Sequence, residues 1–254
     1  MRLVISQPML MPWRGMFEQL LLCDTFVFYD DVQLPLGGGS GRGFITRVQI
    51  KTAQGIDWLS IPVHRAGKSS QNIKDARFAH MDWKATHLGK IDQAYRAAPH
   101  FDLIRDTVVR PIYGLETDSV SEFCAHSMRV LSTVLGLGPR MLVSSESKVA
   151  TDLHGGDRVL AICEALGATT YLTGLGAMNY IDYDAFDQAG VRIEYMDYQL
   201  VTYPQLHGPF TPYVSVIDML FNLGPAAANY LQPKAVYWKD WPVMEEGRPA
   251  PKKA

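Results

Sequence analysis

Two stretches of this chain alternate short apolar runs with helical ones, and few architectures accommodate that rhythm. The first opens the chain. "RLVIS" (2–6) is short, branched and apolar, as a buried strand is. "QPMLMPW" is a loop punctuated by Pro8 and Pro12, "RGMFEQLLLC" is a helix, and "DTFVFYDDVQ" is a second strand. The second stretch runs "RMLVSS", "GGDRVLAICEALG", "TTYLTG", "YDAFDQAG" and "VRIEYMDY", which reads strand, helix, strand, helix, strand. Parallel neighbours need a long crossover, and a helix is the usual one, so this βαβαβ order predicts a mainly parallel sheet with flanking helices. The expected fold class is α/β, of the Rossmann-like, nucleotide-binding type.

The intervening sequence breaks the rhythm. "FITRVQIKT", "IDWLSIPV" and "NIKDARF" read as short strands, and "AQG" (53–55) as a hairpin turn. A small antiparallel β insertion is therefore expected over about 36–78. From about 80 to 137 the pattern is helical. Trp83, His87, Ile91 and Tyr95 recur at i, i+4, "FDLIRDTVVRPIY" follows, and "SVSEFCAHSMRVLSTVLG" is capped by Ser119 or Ser121 and stopped by Gly136. "SVIDMLFNLG" is a late helix. Residues 1–240 are read as one domain and 241–254, with "EEGRPAPKKA", as a disordered tail. With 254 residues, 47% of them hydrophobic, the chain has ample material for a core.

The formal charge of -2 argues against a dedicated nucleic-acid binder. Cys23, Cys124 and Cys163 are widely spaced and sit in apolar patterns, which fits core thiols in a reducing compartment and offers no metal motif. "LVIS" is too short for the apolar segment of a secretory signal, and no apolar stretch reaches the length of a membrane span, so a cytoplasmic protein is expected.

In a parallel α/β sheet, ligands lie beyond the carboxyl ends of the strands, and the chemistry-bearing residues are sought there. Gln7 and Trp13 in the first loop offer an amide and a flat face, and Gly15 permits close approach at the helix start. Asp30 and Asp31 alternate in a regular strand, so one of them, Asp31, is expected to face the site, with Gln33 beyond it. Ser144 and Ser145 follow another strand, without the G-x-S-x-G of a hydrolase elbow. Gly174, Asn179, Tyr180 and Asp182 follow a third, and Tyr203 and Gln205 lie in a proline-bounded loop. His80, Lys84 and His87 fall at i, i+4, i+7. They form either a solvated basic face or an anion site that supplies a proton carrier. The glycine-rich run 37–43 fits neither G-x-x-x-x-G-K-[ST] nor G-x-G-x-x-G. It reads as a connector or as a lid that brings Arg42, with Arg47 and Lys51, to an anion.

Taken together, "QPMLMPWRGMF", "CDTFVFYDDVQ", "RVQIKT" with "DWLSIPV", "TTYLTGLGAMNYID" and "YPQLHGPFTPYVSVIDMLFNLG" resemble the WbqC-like family, in the family's order from about Gln7 to Gly224. The resemblance implies a role in bacterial surface-polysaccharide (O-antigen) or sugar-modification metabolism. Two departures stand out. Ser6 occupies the place where members commonly carry a histidine. "LPLGGGSGRGFITR" replaces a polar, basic segment, although Arg47 and Lys51 keep the R-x-x-I-K pattern. The expected function is acyl or aminoacyl transfer to a nucleotide-linked amino sugar. Trp13, Tyr180 and Tyr203 would stack on flat groups, Arg47 and Lys51 would stabilise an anionic transition state, and His80 or His87 would carry the proton. The alternatives are an ATP-dependent carboxylate–amine ligase, by analogy with pantothenate-synthetase-type folds, and a non-catalytic scaffold of a glycan assembly complex. The expected partner is a small, sugar-linked molecule. ATP or an acyl donor would be the co-reactant, and no metal is implied.

Overall fold

Hydrophobic alternation with period two places every central strand between two cores, and the computed structural model, which describes residues 1–35, 44–64 and 70–241, is built around that arrangement. Six strands form the main sheet in the order β5-β2-β1-β6-β7-β8. They are β1 (Arg2–Ser6), β2 (Thr25–Phe28), β5 (Arg140–Val143), β6 (Thr170–Thr173), β7 (Arg192–Met196) and β8 (Ala235–Tyr237). The first five pair in parallel, and β8 closes one edge antiparallel to β7. A separate hairpin joins β3 (Arg47–Thr52) to β4 (Gly55–Ser60). Its turn is the expected "AQG", and Gly55 supplies the positive φ of 111°.

Val4, Phe26, Phe28, Leu172 and Met196 point to one face of the sheet. There they meet α1 (Arg14–Leu22), α2 (Trp83–Tyr95), α5 (Val120–Val134) and α9 (Val216–Leu223), with α3 (Phe101–Ile104) and α4 (Arg110–Tyr113) behind them. Leu3, Ile5, Val27, Tyr171, Ile193 and Tyr195 point to the other face, against α7 (Gly155–Ala165) and α8 (Tyr183–Gln188). The remaining helix, α6 (Ser144–Ser147), is one short turn after β5. Ser119 caps α5 by accepting from Glu122 N at 3.3 Å, as expected. Arg105–Val109, between α3 and α4, is wound as a π-helix, within what the sequence presents as ordinary helix.

Two expectations are corrected. "NIKDARF" forms no strand; it makes a 3-10 turn over Ile73–Asp75. Its backbone groups are satisfied singly instead of in a ladder: Ile73 N donates to Val32 O, Lys74 N to Asp30 O and Phe78 N to Asp118 O. The edge strand β8 was not anticipated, because "AVY" is three residues long and adjoins aromatic turns. Trp241, read from sequence as part of the tail, is instead buried in the core of the second face, while the glycine run and residues 242–254 lie outside the described residues. Among those residues, no helix is long and apolar enough to cross a membrane.

The strand order sets the location of the site. The chain lays β2 and β5 on one side of β1, then crosses over to lay β6, β7 and β8 on the other. The order reverses between β1 and β6, and helices leave opposite faces there, opening a crevice at the carboxyl ends.

Candidate functional site

A cavity of about 800 Å³ occupies that crevice. The end of β1 contributes Ser6 and Gln7, and the following loop and α1 contribute Trp13, Met16 and Gln19. Tyr171, Thr173, Gly174 and Tyr180 come from β6 and the turn after it, and Gly155 and Val159 from the start of α7. Arg47 and Gln49, two apart on β3 and so on one face, form the wall opposite the sheet, beside Phe44. Tyr29, Tyr198 and Tyr213 add further aromatic surface to the lining.

The charge of this lining is one-sided. Among the described residues, Arg47 is its one cation and no aspartate or glutamate lines the cavity. The Arg47 guanidinium stacks on Trp58 at 4.6 Å, which orients it without neutralising it. Helices α1 and α7 both begin at the cavity, at Trp13 and His154, without a side-chain cap. The dipoles of the two helices add partial positive charge there. Seven aromatic side chains supply most of the flat surface: Trp13, Tyr29, Phe44, Tyr171, Tyr180, Tyr198 and Tyr213. Such a site suits an anion that also carries a flat ring.

Of the residues the sequence singled out, the fold brings Gln7, Trp13, Arg47, Gly174 and Tyr180 together around this space. Gly15 lies directly beneath Trp13, where a Cβ would fall 2.3 Å from the indole Cζ2. Others serve the walls from behind. The Lys51 ammonium is buried and donates to Gln205 Oε1 and Gly208 O at 3.1 Å and to Pro209 O at 2.5 Å. Tyr203 and Gln205 both donate to Asp218, at 2.9 Å each. Burial pushes Lys51 down and Asp218 up from their ordinary values, opposed by their mutual attraction. This network secures the loop between Tyr203 and Ser215.

Asp31 follows β2 and is not in the strand, so it and Asp30 do not alternate across a sheet. Both are held. Asp30 accepts from Ser145 N and Oγ at 3.1 and 2.9 Å, and Asp31 accepts from Ser144 and from the buried Arg158 of α7. Burial would raise the Asp31 pKa, but the bonds from Ser144 and Arg158 outweigh it and hold the carboxyl below its usual range. Ser144 and Ser145 thus lock strand ends together.

The expected basic face does not form. Helix α2 begins at Trp83, so the exposed His80 lies outside it. Lys84 donates to Tyr113 O and Leu115 O, at 3.3 and 2.6 Å. His87 is 3% exposed, between Tyr113 Oη at 3.0 Å and Ser60 O at 3.2 Å, and burial pushes its pKa down to about 4. Neither histidine lines the cavity. Asn179 donates to Gly176 O, Asp182 caps α8 through Ala185 N, and Gln33 bridges Asn72. Arg42 lies outside the described residues.

Sequence reasoning passed over Tyr29, Gln49, Tyr171, Tyr198 and Tyr213. Tyr29 and Tyr198 follow β2 and β7, so the strand-end rule applied to them too. Gln49 follows from Arg47 by alternation.

The cavity walls from Gln7 to Tyr213 fall within a single stretch of homology. The sequence pattern of the WbqC-like protein family matches residues 7–230. The chain belongs to that family. It is also 33% identical, over 233 residues, to an uncharacterized protein of Mycobacterium tuberculosis, a match that covers 91% of this chain and 97% of that one. No solved structure matches. The WbqC-like segments quoted from the sequence therefore build the crevice and its supports. "QPMLMPWRGMF" and "TTYLTGLGAMNYID" are two of its walls, and "YPQLHGPFTPYVS" is its braced outer loop.

Proposed function

We propose that this WbqC-like protein binds a nucleotide-linked amino sugar in the crevice and transfers an acyl or aminoacyl group to its amine, as an enzyme of surface-glycan metabolism. The observation that carries the reading is the lining itself: one oriented guanidinium, two uncapped helix starts and a largely aromatic surface at the switch point of a parallel sheet. Arg47 holds the phosphates, which are the ligand's fixed charge. Gln7 and Gln49 offer amides to sugar hydroxyls. With a thioester donor, the amine nitrogen attacks the acyl carbon, the C–N bond forms and the C–S bond breaks. The proton lost by nitrogen passes to the departing thiolate, whose conjugate acid has a pKa of about 8.5. Such a transfer requires no imidazole in the cavity. The chain's work is to align the two reactants and exclude water.

The test is calorimetric titration with nucleoside diphosphate sugars, followed by mass spectrometry for the amide product with acyl-thioester donors. Arg47→Ala should weaken nucleotide-sugar binding about 10- to 100-fold, the worth of a charge-assisted bond, with the melting temperature little changed. Unchanged affinity would remove Arg47 from the site. Tight binding without product under any acyl donor would favour the scaffold role over the transferase.

A further inference from the structure

Tyr213 is in an unusual state for a large aromatic residue. It is 63% exposed at the cavity, yet its backbone is left-handed, with φ at 65°. A bulky L-residue is disfavoured there, and the exposed ring recovers little of that cost by burial. The conformation is imposed from both sides. Upstream, Thr211 N donates to Gln205 Oε1 at 2.8 Å, within the network anchored on Lys51 and Asp218. Downstream, the fully buried Ser215 is pinned two ways, its N–H donating to Gln49 O at 2.8 Å and its Oγ to Met11 O at 2.7 Å, and the next residue adds a third bond, Val216 N to Pro12 O at 3.0 Å. Strain held in place this firmly is characteristic of ligand sites.

The imposed position sets the ring beside Trp13. The centroids are 5.2 Å apart at 61°, and Tyr198 also meets the indole, at 4.9 Å and 59°. Trp13 in turn lies over Gly15, where a side chain would displace it. Two independent devices, a glycine below and a strained backbone beside, therefore hold two aromatic rings at the cavity. A flat, polarisable ligand ring gains most from such a surface, since stacking is tolerant of which base is bound.

We propose that Trp13 and Tyr213 seat the heteroaromatic base of a nucleotide, whose phosphates reach Arg47. The assignment rests on the anionic-ligand reading of the crevice and adds to it where the base goes. Tyr213 takes the stacking role that the sequence suggested for Tyr203, whose hydroxyl is committed to Asp218.

The experiment compares binding of a nucleoside diphosphate, inorganic pyrophosphate and a hexose 1-phosphate to the wild-type chain, Tyr213→Phe and Tyr213→Gly. Glycine adopts φ near 65° without strain, which offsets the lost contact with Trp13 and the added freedom of the unfolded chain, so Tyr213→Gly should melt within a few degrees of wild type. It should weaken the nucleoside diphosphate about 5- to 100-fold and leave pyrophosphate unchanged, while Tyr213→Phe retains the wild-type preference. Equal weakening of every probe, or none, would overturn the base seat and leave the anion crevice standing. Hexose 1-phosphate binding as tightly as the nucleotide, and weakened alike by Tyr213→Gly, would overturn it in favour of a sugar ring. A wild-type chain that binds none of the three probes would overturn the crevice reading and the base seat with it.

Discussion

Replacing Arg158 with methionine should lower the free energy of unfolding by about 3–5 kcal/mol, read from the shift in a denaturant midpoint at constant slope. Arg158 and Asp31 are both almost wholly buried, with side-chain exposures of 4% and 6%. Methionine removes the guanidinium that, with the Ser144 hydroxyl, holds Asp31 ionised, and leaves a buried carboxylate with the Ser144 bond to offset its desolvation. The effect is large because it reports an orphaned charge. Adding Asp31→Asn to Arg158→Met removes that charge and should restore most of the loss. A double variant as unstable as the single one would show that the cost comes from repacking α7. The pair joins α7 to the end of β2, two elements on either side of the crevice, so the same variant should also loosen the site.

The wild-type chain should lose stability as the pH falls from about 6.5 to about 4, by an amount that His87→Asn abolishes. The folded His87 pKa is depressed to about 4, chiefly by burial, while the unfolded chain titrates near the ordinary histidine value of about 6.5. Between those values the unfolded state binds the proton and the folded state does not. Stability is therefore full above the unfolded pKa and declines as acid is added, by on the order of 3 kcal/mol across the window. The comparison must be differential. Burial raises Glu18 and Asp218, which favours proton uptake by the folded state and works in the opposite sense at the acid end. Identical pH profiles for wild type and variant would show that His87 takes up its proton at the same pH in the folded and unfolded chain, and would overturn the depressed value.

These two residues illustrate different limits of sequence reading. His87 sits at i, i+4 spacing with Trp83, Ile91 and Tyr95, so its place on the buried stripe of α2 was legible. Its partnership with His80 and Lys84 was not, because that rested on a helix start three residues too early. Asp31 was marked as a strand-end carboxylate facing the site, and the fold instead pairs it with Ser144 and Arg158. Its partner Arg158 is 127 residues away on another helix, and no local pattern links them. Arg47 gave a local signal, a cation on an alternating strand. Its exposure to the crevice depends on the stack with Trp58, eleven residues on, across the hairpin.

Periodicity and punctuation were enough to establish the parallel α/β architecture, the hairpin between β3 and β4, the capped start of α5 and the loops that follow β1 and β6. Each of these follows from forces that act over a few residues: alternation, capping and turn geometry. The pairing of β1 with β6 across more than 160 residues, the β8 edge, and the selection of Tyr213 over Tyr203 at the cavity came from the assembled chain alone. Within "TYPQLHGPFTPYVS" the two tyrosines look alike. One spends its hydroxyl on a buried carboxylate, and the other is turned outward by hydrogen bonds that Ser215 and Val216 donate to β3 and the first loop. That difference is decided by which distant groups remain to be satisfied when the core closes.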